Sequence, residues 1–316
     1  MKKDENNKSL GIGNPNRINW FPGHMKKALM EAENRLKAID LVLEVRDARM
    51  PEGSGNSDLE KRLNGKARLI IFNKERYAEP GNFRRWQEYL TAQGVHFQVV
   101  DALDQQSVKK IIAKAKSLGR AKQDKFIRRG IKPPPLRMMV MGLPNTGKST
   151  LINRFKGKRT VAVGDRPGVT QNQRWVILDG LELVDTPGIM PPRIDSDQRG
   201  LGLCSIYAIR DEVPGKRRVA EYLAQLIIEQ KPGQAYQRYS IPGDVTETHQ
   251  IFEAAVSMYG GIKKGGEIDW NKIYANIIND YRKGYLGKLT FEEPPTPENN
   301  DAPDEATLKA SDCDDF

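Results

Sequence analysis

A segment with the pattern GxxxxGK[ST] carries the clearest chemical signal in the chain. It spells GLPNTGKS over 142–149, after an apolar run and before a helix-like one. Backbone N–H groups of such a loop can surround a β-phosphate, its lysine can reach the β- and γ-phosphates, and its serine hydroxyl can bind Mg²⁺. A plain glycine-rich turn is the alternative, but it requires neither flanking element. We therefore predict a nucleoside triphosphate site formed by Pro144, Asn145, Thr146, Gly147, Lys148, Ser149 and Thr150.

Two later motifs supply groups that a metal-bound triphosphate needs. Asp185 begins the motif DTPG after an apolar strand, so its carboxylate can approach Mg²⁺ from beyond the direct ligands, and the Gly188 N–H can meet a γ-phosphate. Thr170, in GDRPGVT, is placed to give its hydroxyl to the same ion when the γ-phosphate is present. A plain β-turn and an ordinary loop threonine are the alternatives. The predicted Mg²⁺ residues are Ser149, Thr170 and Asp185, and the predicted catalytic residues include Lys148 and Thr170.

A possible base-recognition motif lies before the phosphate loop rather than after it. Guanine recognition usually needs Asn-Lys-x-Asp at a strand end, where the aspartate accepts hydrogen bonds from the base. Here Asn73 and Lys74 end an apolar strand, and Asp101-Ala102-Leu103 follows the next strand and resembles the Ser-Ala-x loop at the guanine edge. A surface turn is the alternative for Asn73-Lys74. The further predicted nucleotide-binding residues are Asn73, Lys74, Asp101, Ala102 and Gly188.

This motif departs from the usual pattern at two positions. Arg76 stands where the base-recognising aspartate is expected, and a guanidinium has only donors, so it cannot accept from guanine. Glu75 can take that role if the loop shifts by one residue, and Asp101 replaces the usual serine. GTP is the expected nucleotide, and the strength of its preference over ATP stays open.

Alternating strand-like and helix-like runs position these motifs. Short apolar runs predict buried strands, and apolar residues at helical spacing predict helices between them. The strands cover 41–47, 67–73 and 95–101, and the helices cover 18–39, 83–94 and 106–119. Such alternation is typical of βαβ units in a parallel sheet. A basic, proline-containing stretch at 120–137 is predicted to be a linker.

The second half of the chain continues the sheet and then becomes helical. A strand at 137–142 and a helix at 148–155 flank the phosphate loop, and an Asp179-Gly180 turn predicts a hairpin. The hairpin strands cover 173–178 and 181–185, and later helices cover 217–230, 248–261 and 268–284. We predict a flexible arm at 1–17, an α/β domain at 18–195, a helical domain at 196–291 and an acidic, disordered tail at 292–316.

Composition favours a polyanionic partner in a reducing compartment. The net charge of +10 becomes +18 on residues 1–291, which hold 50 Lys and Arg against 32 Asp and Glu. Such an excess favours nucleic acid, with solubility alone as the alternative. No run approaches the roughly 18 apolar residues of a membrane-spanning helix, and the first residues lack an apolar signal core. Two distant cysteines provide neither a disulfide framework nor a metal-ligand pattern.

The order of the motifs resembles a known family. NKxx, DAL, GLPNTGKST, GVT and DTPG occur in that order, preceded by WFPGHM at 20–25 and RDAR at 46–49. This order resembles the circularly permuted GTPases that assemble the large ribosomal subunit, the bacterial ribosome biogenesis GTPase A group and its mitochondrial counterpart. The resemblance runs from Ile18 to Phe291 and implies a P-loop GTPase sheet in circularly permuted order, followed by an all-α C-terminal domain.

The resemblance also implies roles for individual residues. Asn145 would help to hold a K⁺ ion, and His24 would orient or activate the attacking water, with a structural or RNA-contacting histidine as the alternative. Ile189 stands where signalling GTPases carry a catalytic glutamine, so another group must activate water. The helical domain would contact ribosomal RNA.

The function implied is GTP hydrolysis with Mg²⁺ and K⁺ by an assembly factor of the large (50S) subunit. It would bind ribosomal RNA and ribosomal proteins in the GTP state, with a low intrinsic rate that the ribosome stimulates and with release on hydrolysis. A monomer in the bacterial cytoplasm is expected. Two alternatives remain: a nucleotide-gated RNA-binding module with little or non-selective hydrolysis, and an ATP-dependent small-molecule kinase.

Overall fold

The structure of the chain is a computed structural model. It describes residues 18, 23–56, 63, 65–157, 175–178, 180–186, 188, 190–191, 194–261 and 266–296. Two predicted site positions, Thr170 and Ile189, lie outside these residues. His24 lies in the first turn of a described helix, but its side chain lies outside the description.

A sheet of six strands forms the centre of the described α/β part. Its order is β3-β2-β1-β4-β6-β5, and all neighbouring strands are parallel except the antiparallel pair β5 and β6. The strands are β1 Leu41–Asp47, β2 Ala67–Asn73, β3 Phe97–Val99, β4 Leu136–Gly142, β5 Trp175–Leu178 and β6 Leu181–Asp185. The predicted parallel sheet and the hairpin are confirmed, and the 95–101 strand is shorter than predicted.

Helices cover both faces of the sheet, which explains the nearly continuous apolar runs of its strands. The helices are α1 Gly23–Leu36, α2 Pro80–Ala92, α3 Gln105–Ile127 and α4 Lys148–Lys156. Successive strand residues point to opposite faces. Leu43 therefore packs in the cluster that contains Ile111 of α3 and Ile152 of α4, whereas Val42 packs in the cluster that contains Leu36 of α1.

Helix α3 corrects the prediction of a linker at 120–137. The helix begins after Asp104, whose carboxylate accepts from the Gln106 N–H, and continues to Ile127. Residues 120–127 contain no glycine or proline, so nothing in them ends the helix. The true connection is short, from Arg128 to the start of β4.

Among the described residues, five helices follow the sheet, and their apolar core continues to Met25, Met50 and Leu143 of the α/β part. They are α5 Asp197–Ser205, α6 Lys216–Gln230, α7 Gly233–Tyr239, α8 Thr248–Tyr259 and α9 Trp270–Lys283. The three predicted helices are confirmed within two residues at each end, while α5 and α7 were not predicted. Fully buried residues such as Leu223, Ile251 and Ile277 form this core. No described helix is long and apolar enough to cross a membrane.

The chain after α9 returns to the α/β part and packs against it. The carboxylate of Glu292 is buried and accepts from the backbone N–H groups of Glu52 and Gly53. Burial raises the pKa of Glu292 to about 7, although these two hydrogen bonds act in the opposite direction. Trp86 Nε1 donates to the backbone carbonyl oxygen of Glu292. The acidic segment was predicted to be disordered from residue 292. Its first residues instead pack against the α/β part.

Candidate nucleotide-binding site

The predicted motifs meet at the carboxyl edge of the parallel strands. Asp47 pairs with Asn73 in the register of β1 and β2, and Val45 pairs with Gly142 in that of β1 and β4. Chain order does not decide which strand ends are neighbours, since parallel strands all present their carboxyl ends at one edge. The base-recognition motif and the phosphate loop therefore meet although their order along the chain is inverted.

The phosphate loop has a backbone that requires glycine at two positions. Gly142 has φ of 148°, and an added Cβ would collide with the carbonyl oxygen of Val45. Gly147 has φ of 103°, and an added Cβ would collide with Asn73 Nδ2. Thr146 is buried, and its hydroxyl donates to the Leu143 carbonyl at 3.0 Å. The loop thus leads directly into the N-terminus of α4, where backbone N–H groups favour an anion.

Lys148 lies buried in this loop with its amine close to an acid. Its Nζ donates to the Leu143 carbonyl at 2.7 Å. Burial lowers the pKa of Lys148 to about 8, and the carboxylate of Asp185 partly offsets that effect. A phosphate beside the amine would favour its charged form. The structure therefore brings together a buried lysine and an acidic residue that the sequence placed in separate motifs.

Two of the three metal-binding candidates, Ser149 and Asp185, lie among the described residues. Ser149 is exposed in the first turn of α4, and Asp185 ends β6, where burial raises the pKa of its carboxyl. A hydroxyl and a carboxylate are oxygen ligands of the kind Mg²⁺ prefers. Thr186 anchors the strand end by donating to the Val140 carbonyl at 2.7 Å, and Gly188 packs against Pro144. The donor set fits a triphosphate-bound Mg²⁺.

Asn73 joins the phosphate loop to the loop after β3. Its Nδ2 donates to the Thr146 carbonyl at 2.9 Å, and its Oδ1 accepts from the Ala102 N–H at 3.0 Å. Lys74 follows with φ of 65° and donates from Nζ to the Asn145 carbonyl at 2.6 Å. Both side chains of the predicted Asn-Lys pair therefore hold the phosphate loop in place.

A cavity of about 380 Å³ adjoins these residues and extends to the helical part. Its α/β lining includes Asn73, Lys74, Arg76, Asp101, Ala102, Asn145, Gly147 and Thr150. Tyr207 and Arg282 line it from the helical side, and the Arg282 guanidinium lies 4.4 Å from the centre of the Tyr207 ring. The Nδ2 of Asn145 donates to the Tyr207 carbonyl at 2.7 Å. This contact with the helical part was not predicted, and no local pattern in the sequence marks it.

Asp47 and Arg49 form a buried ion pair behind this site. Arg49 donates to both carboxylate oxygens of Asp47, at 2.8 and 2.7 Å. Burial alone would raise the pKa of Asp47, but Arg49 and Lys74 lower it to about 2. The Arg49 guanidinium also lies 5.6 Å from the ring centre of Tyr281 in α9. The RDAR segment therefore connects Lys74 to the helical part, a role that sequence reasoning did not identify.

Comparison with known proteins identifies relatives over most of the chain. The family model described as 50S ribosome-binding GTPase matches residues 137–227. Ribosome biogenesis GTPase A of Bacillus pumilus is 38% identical over 278 residues, covering 88% of this chain and 99% of the relative. Mitochondrial ribosome-associated GTPase 1 of Xenopus tropicalis is 29% identical over 307 residues, covering 90% and 97%. The GNP-bound structure of YlqF from T. maritima superposes with a TM-score of 0.61 at 24% identity, covering 85% and 98%.

Proposed function

We propose, on the premise that this chain belongs to the ribosome biogenesis GTPase A family, that it hydrolyses GTP to GDP and phosphate as an assembly factor of the large (50S) ribosomal subunit. The observation that carries the nucleotide part of the proposal is the side chain of Asn73. It joins a phosphate loop to a second loop at the edge of a cavity, as a nucleotide spanning both loops requires. The permuted order of the sheet supports the same conclusion.

The phosphate end supplies electrostatic stabilisation for in-line attack of water on the γ-phosphate. Backbone N–H groups before α4 hold the β-phosphate, and Lys148 offsets the charge that develops on the transferring group. Ser149, together with Thr170 from outside the described residues, is proposed to bind Mg²⁺ directly, and Asp185 to approach it from beyond the direct ligands. That ion supplies Lewis-acid polarisation of the phosphate oxygens when bound.

We propose roles for Asn145 and His24 toward a K⁺ ion and the attacking water. The Nδ2 of Asn145 is engaged by Tyr207, which leaves its Oδ1 available as a ligand for K⁺. His24 lies in the first turn of α1, where we propose that it orients or activates the attacking water, since Ile189 cannot. Thr170 would order the loop that senses the γ-phosphate.

The charge distribution supports the proposal of RNA as the partner and favours one surface for its phosphates. Residues 196–291 hold 13 Lys and Arg against 11 Asp and Glu, so the helical part is nearly neutral. The excess lies in the α/β part, and residues 105–132 alone hold 10 Lys and Arg against one Asp. All ten of these basic residues are exposed on α3 and the turn after it. We therefore place the main phosphate contacts on α3, with the helical part as a further contact to ribosomal RNA and proteins.

Matched triple substitutions separate these two RNA surfaces. The α3 variant carries Lys109→Ala, Lys110→Ala and Lys114→Ala, and the helical variant carries Lys231→Ala, Lys272→Ala and Lys283→Ala. All six lysines are exposed, so both variants lose the same charge. We expect the α3 variant to flatten the dependence of log affinity on log salt more than the helical variant does, by about 0.7 to 0.9 per lost phosphate contact. An equal change in the two variants would mean that both surfaces share the contacts, and a larger change in the helical variant would assign most of them to the helical part.

The activity itself is tested by GTP and ATP turnover in K⁺ buffer, with and without purified large ribosomal subunits. We expect slow, GTP-selective turnover that the subunits stimulate, followed by release of a monomeric, cytoplasmic factor after hydrolysis. Turnover that no ribosomal particle stimulates would favour a nucleotide-gated RNA-binding module. Phosphate transfer from ATP to a small molecule would instead indicate a kinase.

A further inference from the structure

We propose that Asp101 supplies the carboxylate that recognises guanine in this chain, in place of the residue at position 76. The inference rests on the proposed function, because it concerns the base of the bound GTP. Relative to the usual motifs, position 76 holds arginine instead of the acid, and an extra acid stands in the loop after β3. The structure shows that these two departures are neighbours: Arg76 Nη1 lies 3.4 Å from Asp101 Oδ2. The acceptor has thus moved from one loop to the adjacent one.

The lining of the cavity distinguishes Asp101 from the other candidate acid, Glu75. Among the described residues that line the 380 Å³ cavity beside the phosphate loop, Asp101 is the one carboxylate. Glu75 lines a different cavity, which Asp101 also borders. Asp101 therefore faces the space that Asn73, Gly147 and the phosphate loop enclose, whereas Glu75 does not.

The loop around Asp101 is held in place relative to the phosphate loop. The next residue, Ala102, donates its N–H to Asn73, whose other side-chain atom donates to the phosphate loop. Arg76 is held over the ring of Tyr77, at 4.8 Å from its centre, and so approaches Asp101 from a defined side. The carboxylate is consequently positioned by backbone and cation contacts before a base enters.

Asp101 retains the acceptor capacity that guanine needs. Its Oδ1 accepts from the Leu103 N–H at 2.9 Å and its Oδ2 faces Arg76, while an ionised carboxylate offers about four acceptor positions. Guanine presents two adjacent donors, N1–H and the 2-amino group, which match a carboxylate. Adenine presents an acceptor at N1, which a carboxylate repels. Arg76 is then a positioning residue, because it has no acceptor of its own.

Exchange of Asp101 for asparagine tests the assignment through a change of base preference. An amide offers one acceptor and one donor, which match the N1–H and 2-carbonyl of xanthine rather than the two donors of guanine. For Asp101→Asn we expect at least tenfold weaker binding of GDP and GTP and a measurable gain for the xanthosine nucleotides, by fluorescence titration. The matched variant Glu75→Gln should leave both affinities unchanged.

A second pair of variants guards against simple loss of folding. Asp101→Ser should weaken GDP binding, and the double variant Arg76→Asp with Asp101→Ser, which restores the usual arrangement, should recover it. Unchanged base preference in Asp101→Asn, or a shift in Glu75→Gln, would overturn the inference while leaving the GTPase proposal intact. Failure of the unmodified chain to bind any nucleoside triphosphate would instead remove the proposed function.

Discussion

The phosphate end and the base end of the cavity depend on different kinds of atoms. At the phosphate end, Gly142 and Gly147 adopt positive φ values and lie close to Val45 and Asn73. Lys148 is buried there. At the base end, Arg76 and Asp101 interact through exposed side chains, which are 53% and 44% accessible. Backbone geometry forms the first region, and side-chain charge forms the second.

This difference explains how the base-recognition motif can depart from its usual pattern while the phosphate loop at 142–149 keeps its own. A Cβ at Gly147 would collide with Asn73, so no side chain can be accommodated there without movement. An acid and a partner, by contrast, can exchange places between the loops of Arg76 and Asp101, because both face one cavity. A base-recognition motif can therefore change its residue types and still present an acceptor to the base. A phosphate loop cannot change its glycines in the same way.

The largest expected effect comes from Lys148→Ala at the phosphate end. The change removes a buried cation that the β- and γ-phosphates would contact, and nothing at the base end can replace it. We expect loss of triphosphate binding or turnover, measured by nucleotide titration and phosphate release. Lys37→Ala, in the exposed turn after α1, is the control and should retain both. Unchanged affinity and rate in Lys148→Ala would discard the phosphate-loop assignment.

Asn73 links the two ends, and a pair of substitutions separates its two contacts. Asn73→Asp keeps an acceptor for the Ala102 N–H but places an oxygen against the Thr146 carbonyl, whereas Asn73→Ala loses both hydrogen bonds. We expect each variant to weaken GDP binding, by about 10- to 100-fold, since buried partners left unpaired cost about 1–3 kcal/mol.

Denaturant unfolding provides the internal comparison for the two Asn73 variants. Asn73→Ala leaves the Ala102 N–H unpaired, while Asn73→Asp adds repulsion at Thr146, so both should lower the free energy of unfolding. Equal GDP affinity in both variants and in the unmodified chain would show that the two loops are held together by other contacts.

Local patterns predicted the phosphate end well and the surroundings poorly. The loop at 142–149 and its flanking elements follow from one strand–loop–helix pattern, and the place of Asp185 at a strand end follows from the apolar run before DTPG. The ion pair of Asp47 and Arg49 was not predicted to support Lys74, because only the packing of β1 beside β2 brings them together. The roles of all the predicted site residues, His24 and Thr170 included, stay predictions, as does the domain division at residue 195.

Contacts between the α/β and helical parts could not be predicted from the sequence, because only the packing of the folded chain brings these residues together. The Asn145 contact with Tyr207 joins residues far apart in the chain, and Tyr207 has φ of 66°, which no residue preference suggests. Glu292 was assigned to a disordered tail because its segment is acidic and rich in proline. Its carboxylate instead accepts hydrogen bonds from two backbone N–H groups of a turn that is distant in the sequence.

The smallest expected effect is a proton taken up when the nucleotide binds at the phosphate end. Burial lowers the pKa of Lys148 from 10.5 to about 8, so the folded chain binds fewer protons than the unfolded chain between these values. This group therefore makes the free energy of unfolding rise with pH across that window. Phosphates favour the charged amine, so GDP binding should take up a fraction of a proton that grows as the pH rises through about 8. Calorimetry in buffers of different ionisation enthalpy measures this uptake. A flat profile would mean that Lys148 is already charged before the phosphates bind. Burial would then change the charge of the phosphate end no more than it changes that of the exposed base end.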